Sequence, residues 1–216
     1  ASWGMFQAAT ADAAMEYASK QQHPLVIKAD GLAAGKGVFI SQSVPESIQI
    51  LEDLFAGKLG AAGEKVVLEE FLEGIEVSVF VATDGEDFLI LPEAKDYKRI
   101  GVGDTGPNTG GMGSVSPVAF ADAEFLETVK QKIIIPTLAG LKAEGILYRG
   151  FLFLGIMKVG NQPYMLEYNV RMGDPETQSV FPRIQSDVDH FLAAIANGTL
   201  GQYELLISTQ AAATVI

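Results

Sequence analysis

Over residues 163–170 apolar and polar positions alternate, which is the period of a strand. Leu166, Tyr168 and Val170 fall on one face, and Glu167, Asn169 and Arg171 on the other. Short apolar runs predict further strands over 25–28, 38–40, 65–72, 75–82, 87–91 and 148–159. Asp84-Gly85 and Gly160-Asn161 stand between paired runs and signal hairpins. Helical spacing covers 11–22, with Asp12 in the first turn. It also covers 45–56, entered at Pro45 and followed by Gly57, and 187–197, closed by Gly198. A helix over 122–144 is interrupted near Pro136. Residues 93–117 read as one long irregular stretch. Helices mixed with antiparallel hairpins predict an α+β fold with mixed or antiparallel sheets, not a doubly wound parallel sheet. A hinge near 68–74 would part a small unit, 1–70, from a larger body.

The chain has 216 residues, 48% hydrophobic and 19% charged, enough for a sizeable core in one or two domains. Its net charge of −12 repels nucleic acid and anionic membrane surfaces, so neither is an expected partner. An anionic substrate would need a local cluster of cations. Cysteine is absent, which excludes thiolate chemistry and a disulfide framework and fits the cytosol. The longest apolar runs are too short to span a bilayer, and no signal peptide is visible. The chain starts without Met and stops in an apolar run, 211–216, that looks like a strand with no partner. It is expected to be a piece of a longer protein.

The candidate chemistry centres on the strand near residue 167. Ionisable groups on a half-buried face need partners. Mg²⁺ takes carboxylate and amide oxygens and shares itself with substrate phosphates, so Glu167 and Asn169 are candidate metal ligands. Arg171 would then hold an anion beside the metal, since its planar fork suits phosphate or carboxylate. An exposed strand face with an internal Glu–Arg pair fits the same residues.

Gly31-Leu-Ala-Ala-Gly-Lys-Gly37 invites a phosphate reading. It is one residue short of a P-loop, and Gly37 stands where that motif needs Ser or Thr. A strand follows it where the dinucleotide fingerprint needs a helix. What remains is a strand–turn–strand flap whose backbone N–H groups, at Gly31, Gly35 and Gly37, can close over phosphates. Lys28 ends the first strand and Lys36 rides on the flap tip. An ordinary glycine hairpin has the same pattern. Along 67–74, the Glu70 carbonyl and Leu72 N–H offer an edge pair for adenine, with Glu69 alongside and Glu76 placed for ribose hydroxyls. A plain acidic turn is the other reading. The glycine-dense stretch 96–113, with Lys98 at its base, reads as a substrate loop or as an ordinary surface loop.

Three blocks, residues 26–38, 107–113 and 167–178, resemble the ATP-grasp ligases, and within them the glycinamide ribonucleotide synthetase (phosphoribosylamine–glycine ligase) family. All three come in the family's order. The resemblance implies an ATP-grasp fold with a lid subdomain (1–70), a catalytic body (71–200) and the start of a truncated C-terminal domain (201–216). The family's N-terminal domain and nearly all of its C-terminal domain would lie outside these residues. It implies ATP and Mg²⁺ (or Mn²⁺) as cofactors, glycine and 5-phosphoribosylamine as substrates, and a glycyl phosphate intermediate. Glu167 and Asn169 would hold the metal, and Arg171 and Lys36 would act catalytically. Lys28, Gly31, Gly35, Gly37, Glu69, Glu70, Leu72 and Glu76 would bind nucleotide. Lys98, Asn108, Thr109, Gly110, Gly111, Asp174 and Glu176 would bind substrate. Two positions depart from the family: Tyr97 stands where His is usual, and Met172 where Phe is common.

Overall fold

Val66 and Leu68 alternate with more exposed neighbours along one strand, and both are fully buried. They mark the core of the first of two units, Ala1–Glu73 and Gly74–Ile216. The computed structural model describes residues 2–33, 37–103 and 105–216.

The first unit contains β1 (Trp3–Gln7), α1 (Ala11–Lys20), β2 (Leu25–Ala29), β3 (Val38–Ser41), α2 (Val44–Phe55) and β4 (Lys65–Glu70). The sheet order is β1-β4-β2-β3, with antiparallel pairing throughout. Leu25 and Ile27 of β2 join Val66 and Leu68 in packing on Ala14 and Ala18 of α1 and on Leu51 and Leu54 of α2. Burying such aliphatic side chains contributes about 1.5–3 kcal/mol each. The helices are set by local chemistry. Ser43 accepts from the Glu46 N–H at the start of α2, where Pro45 needs no N–H partner. Both helices belong to one buried side, so the other side of the sheet stays open. Register aligns two rows on that open side: Trp3, Glu69, Val26 and Ile40, then Met5, Val67, Lys28 and Val38.

The second unit is built on β5 (Ile75–Thr83), β6 (Phe88–Ile90), β11 (Gly150–Val159) and β12 (Gln162–Asn169), in the antiparallel order β12-β11-β5-β6. Between β6 and β11 come β7 (Lys95–Asp96), β8 (Arg99–Gly101), β9 (Thr105–Asn108), β10 (Gly113–Ser116), α3 (Ala123–Val129) and α4 (Ile135–Ala143). After β12 come α5 (Thr177–Val180), α6 (Val188–Asn197) and β13 (Ala212–Val215). One face of the main sheet, with Val77, Val79, Val81, Leu152, Leu154 and Ile156, packs against Phe125, Val129, Ile133 and Ile134. The opposite face, with Phe80, Ala82 and Phe153, meets Val180, Phe191, Ala194 and Ile195.

Three sequence expectations change. Residues 93–117 are not irregular throughout, since four short strands are described within them. β7 and β10 pair with each other, and β8 with β9. Strands of two to four residues carry too little alternation to be read locally. The run 211–216 does have a partner: β13 pairs antiparallel with β10, Gly113 opposite Val215. The expected interruption of the helix over 122–144 near Pro136 is present, but the chain does not leave the helix there. Instead the backbone widens into a π turn, Lys130–Ile134, between α3 and α4. Proline offers no N–H to the carbonyl one turn earlier, and a wider turn accommodates that loss.

Candidate functional site

Glu167 sits on β12 opposite Gly155, and Asn169 opposite Phe153. Both therefore lie on the face of the sheet that carries Phe80 and Phe153. Register extends this face across three strands, because Gly155 also faces Ser78 and Met157 faces Glu76 on β5. A bulge opposite Gly155 and Ile156 inserts Leu166 as an extra residue and re-phases the strand, so that Met165 faces Ile156. Gly155 leaves room for the acid: a Cβ there would stand 3.0 Å from Glu167 Cγ. The Asn169 amide lies 3.3 Å from Glu167 Oε1. The two ends of an amide are chosen from the hydrogen-bond network, so turning it would set two oxygens side by side.

Arg171 lies beyond the paired part of β12, so register does not place it on this face. Pairing with β11 ends at Asn169, and strand alternation ends with it. The Arg171 guanidinium donates to the Met172 carbonyl at 2.8 Å and is otherwise exposed. Met172 packs against the second core cluster, a role an apolar exchange preserves.

A wall rises beside the sheet. Ser78 and Ala94 exchange backbone hydrogen bonds of 2.8 and 2.9 Å, which brings 95–98 alongside β5. Lys98 Nζ donates to Glu76 Oε2 at 3.0 Å. Burial alone would lower the Lys98 pKa, but Glu76, Asp96 and Glu167 outweigh it and hold the ammonium above its usual value. Ser78 donates to Glu176 Oε1 at 2.8 Å, and Glu176 is buried. Asp174, two residues earlier, is exposed and accepts from Gln178 at 2.8 Å. Thr109 ties the glycine-rich loop to the wall: its N–H and hydroxyl both donate to the Lys98 carbonyl, at 2.7 and 2.8 Å. Gly110 is exposed, and the Gly111 N–H donates to Thr109 Oγ1 at 3.1 Å. Asn108 pairs through its backbone with Arg99; its side chain lies outside the described residues.

In the first unit, Lys28 Nζ pairs with Glu69 Oε2 at 2.6 Å on the open sheet face. Glu70 accepts from the Ser2 N–H at 3.0 Å. Leu72 follows the end of β4 and is half-buried. The Gly31 N–H is engaged by the Ala62 carbonyl at 3.2 Å, so it is not presented to a phosphate as the flap reading expected. The Gly37 carbonyl accepts from Ala29 at 2.7 Å. Gly35 and Lys36 lie outside the described residues.

Sequence reasoning missed Ser78, Gly155 and Asp96. Gly155 left a trace, since a glycine inside an apolar strand marks a close approach. Ser78 left none, because its partner is 98 residues away.

Residues 1–177 match the family model described as phosphoribosylglycinamide synthetase, ATP-grasp (A) domain. The chain belongs to this family. A curated relative, the phosphoribosylamine–glycine ligase of Rhizobium meliloti (strain 1021), is 45% identical over 206 residues, 95% of this chain and 49% of the relative. The chain thus spans about half the length of the curated relatives it matches. The crystal structure of phosphoribosylamine–glycine ligase from Thermotoga maritima superposes with a TM-score of 0.87 at 40% identity, covering 100% of this chain and 54% of that one. The biotin carboxylase domain of a Hydrogenobacter thermophilus 2-oxoglutarate carboxylase, solved with magnesium ADP and bicarbonate, superposes at 0.69 with 18% identity. It covers 96% of this chain and 44% of that one, and at this identity shows the fold alone. The α+β architecture is therefore that of the ATP-grasp fold.

The donor set of this ATP-grasp domain suits a hard cation. Among the described residues no group of three or more His, Cys, Asp or Glu is arranged to hold a metal. Glu167 and Asn169 together offer a carboxylate and an amide oxygen. Two protein oxygens completed by phosphate and water are the usual terms on which Mg²⁺ binds. Among the described residues no helix is long and apolar enough to cross a membrane.

Proposed function

We propose that this chain is the ATP-handling part of a phosphoribosylamine–glycine ligase. That enzyme would join glycine to 5-phosphoribosylamine in the cytosol, with ADP and phosphate as by-products. Residues 1–70 would serve as the lid, 71–200 as the catalytic body, and 201–216 would lead towards a C-terminal domain. The observation that carries this reading is the placement of Glu167 and Asn169 on one sheet face, in register with Ser78 and beside Glu76 and Lys98, in a member of this family.

A carboxylate and an amine do not condense in water, because the carboxylate has no leaving group. Transfer of the ATP γ-phosphoryl to the glycine carboxylate forms glycyl phosphate, and attack by the amine of phosphoribosylamine expels phosphate. Such transfer depends on positioning and charge neutralisation more than on covalent help. Mg²⁺ (or Mn²⁺) would supply positive charge at the phosphoryl oxygens. Glu167 and Asn169 would seat it. Lys28, held by Glu69, would meet the α- and β-phosphates, and Lys36 would approach the transferring group. Val26, Val38, Ile40 and Val67 give the open sheet face an apolar floor for a purine, with Glu70 and Leu72 at its edge. Glu76 would accept from ribose hydroxyls. Arg171, free of the strand, would turn towards the acyl phosphate. Lys98, Asn108–Gly111, Asp174 and Glu176 would shape the side that takes glycine and the ribose phosphate.

The test is Glu167→Ala in the full-length enzyme. Turnover should fall at least about 10²-fold, the scale of removing one electrostatic stabiliser. Near-normal turnover at saturating Mg²⁺ overturns the assignment.

A further inference from the structure

Asp96 Oδ1 is fully buried and has no hydrogen-bond partner, alone among buried side-chain nitrogens and oxygens of the described residues. Asp96 lies on β7 opposite Ser114 of β10. The glycine-rich loop closes over the orphan oxygen: a Cβ on Gly111 would stand 3.3 Å from it and 2.7 Å from Pro175 Cδ. Two cations are near, but both are engaged elsewhere. Lys98 donates to Glu76, and Lys95 lies over the Tyr97 ring, 5.2 Å from its centroid. Glu176 and Glu76 add like charge. The fold thus takes water from one oxygen of a carboxylate and supplies it no donor in return. Such an exception calls for a reason, and a ligand that brings the missing donor is one.

A phosphate would be repelled by these three acids. A primary ammonium is cationic and carries three donors. The wall bearing Asp96 also bears Lys98, which is within electrostatic reach of both Asp96 and Glu167. An amino acid whose carboxylate is activated beside Glu167 has its ammonium only two bonds away from that carboxylate carbon. We propose that Asp96 anchors the ammonium of the amino acid substrate and keeps it protonated. A protonated nitrogen has no lone pair, so the amine of an amino acid held this way cannot serve as the nucleophile towards an acyl phosphate, and the second amine remains the nucleophile. No bond is made or broken at Asp96. This inference rests on the ligase reading above.

The test compares the full-length wild type with Asp96→Asn, following ADP release with glycine, sarcosine and acetate, with thermal melts to verify folding. In the variant the KM for glycine should rise about 30-fold, the scale of a lost charged hydrogen bond, while the KM for ATP moves less than about threefold. The wild type, which needs no variant to fold, should accept sarcosine, which keeps the positive charge, far better than acetate, which lacks it. A glycine KM changed less than threefold, a parallel rise for ATP, or equal use of sarcosine and acetate overturns the proposal. If the wild type releases ADP only with a different amino acid, the ligase assignment fails. Comparing that amino acid with its deaminated analogue then decides the role of Asp96 separately.

Discussion

Gly155 and Glu167 are a pair in which the smaller residue makes room for the larger. With no side chain on Gly155, Glu167 can lie across β11 towards the row that holds Ser78. Gly155→Ala would put a Cβ 3.0 Å from Glu167 Cγ, so the acid would have to shift by a few tenths of an ångström. A metal seat made of two protein oxygens tolerates little displacement. We expect turnover to fall about 10-fold with the Mg²⁺ requirement raised, and stability to change by less than ~1 kcal/mol. Steady-state rates across a Mg²⁺ series, with a melt on the same sample, check this. Unchanged Mg²⁺ dependence would show that the close approach is incidental. Asp96 gives a second residue-scale prediction. Burial first, then the charge of Glu176, push its pKa up to about 6. The folded protein thus holds this proton more tightly than the unfolded chain does. The cost of ionising Asp96 is absent below about pH 4, grows as pH rises towards 6, and is fully present above that. Its half-open side chain limits the cost to about 1 kcal/mol. The stability of Asp96→Asn relative to wild type should therefore be greater at pH 7.5 than at pH 4.5. Urea unfolding of both proteins at the two pH values measures it, and a gap that does not change with pH contradicts it.

At the scale of elements, what the sequence reveals follows from how local each cause is. α2 and α6 are legible because their ends are written next to them. Ser43 and Asp187 accept from N–H groups three residues on, and Gly198 takes the left-handed φ of 75° that ends α6. The hairpin of β11 and β12 is legible from its long alternating runs and from Gly160-Asn161 between them. β1 is not, since its five residues have no turn signal and owe their shape to the edge of β4. β7 and β10 are likewise hidden: two and four residues long, they exist through each other and through β13, about a hundred residues later. The candidate site divides the same way. Glu167 and Asn169 could be paired from strand period alone. Arg171 could not be placed, because period says nothing about where pairing stops. Ser78 with Glu176, and Asp96 under Gly111, are joined only by tertiary structure.

At the scale of the whole molecule, the proposed chemistry draws on residues of each unit. The first carries Lys28 and Glu69 on an open, largely apolar sheet face suited to a nucleotide. The second carries the acids and amide suited to a metal and an amino acid. The net charge of −12 makes a local cluster of cations necessary for an anionic amine substrate. The relatives at 45% and 44% identity are about twice as long, which leaves ample chain for that task. Residues 1–216 alone should therefore bind ATP weakly and make negligible glycinamide ribonucleotide. Calorimetry of this piece with ATP should give a binding heat that depends on Mg²⁺, and Glu167→Ala should remove that dependence while leaving weak metal-free binding. This pattern separates a nucleotide site with its metal seat from a nonspecific surface. Substantial synthesis by 1–216 would refute the division of labour, because the second substrate would then have its site within this half.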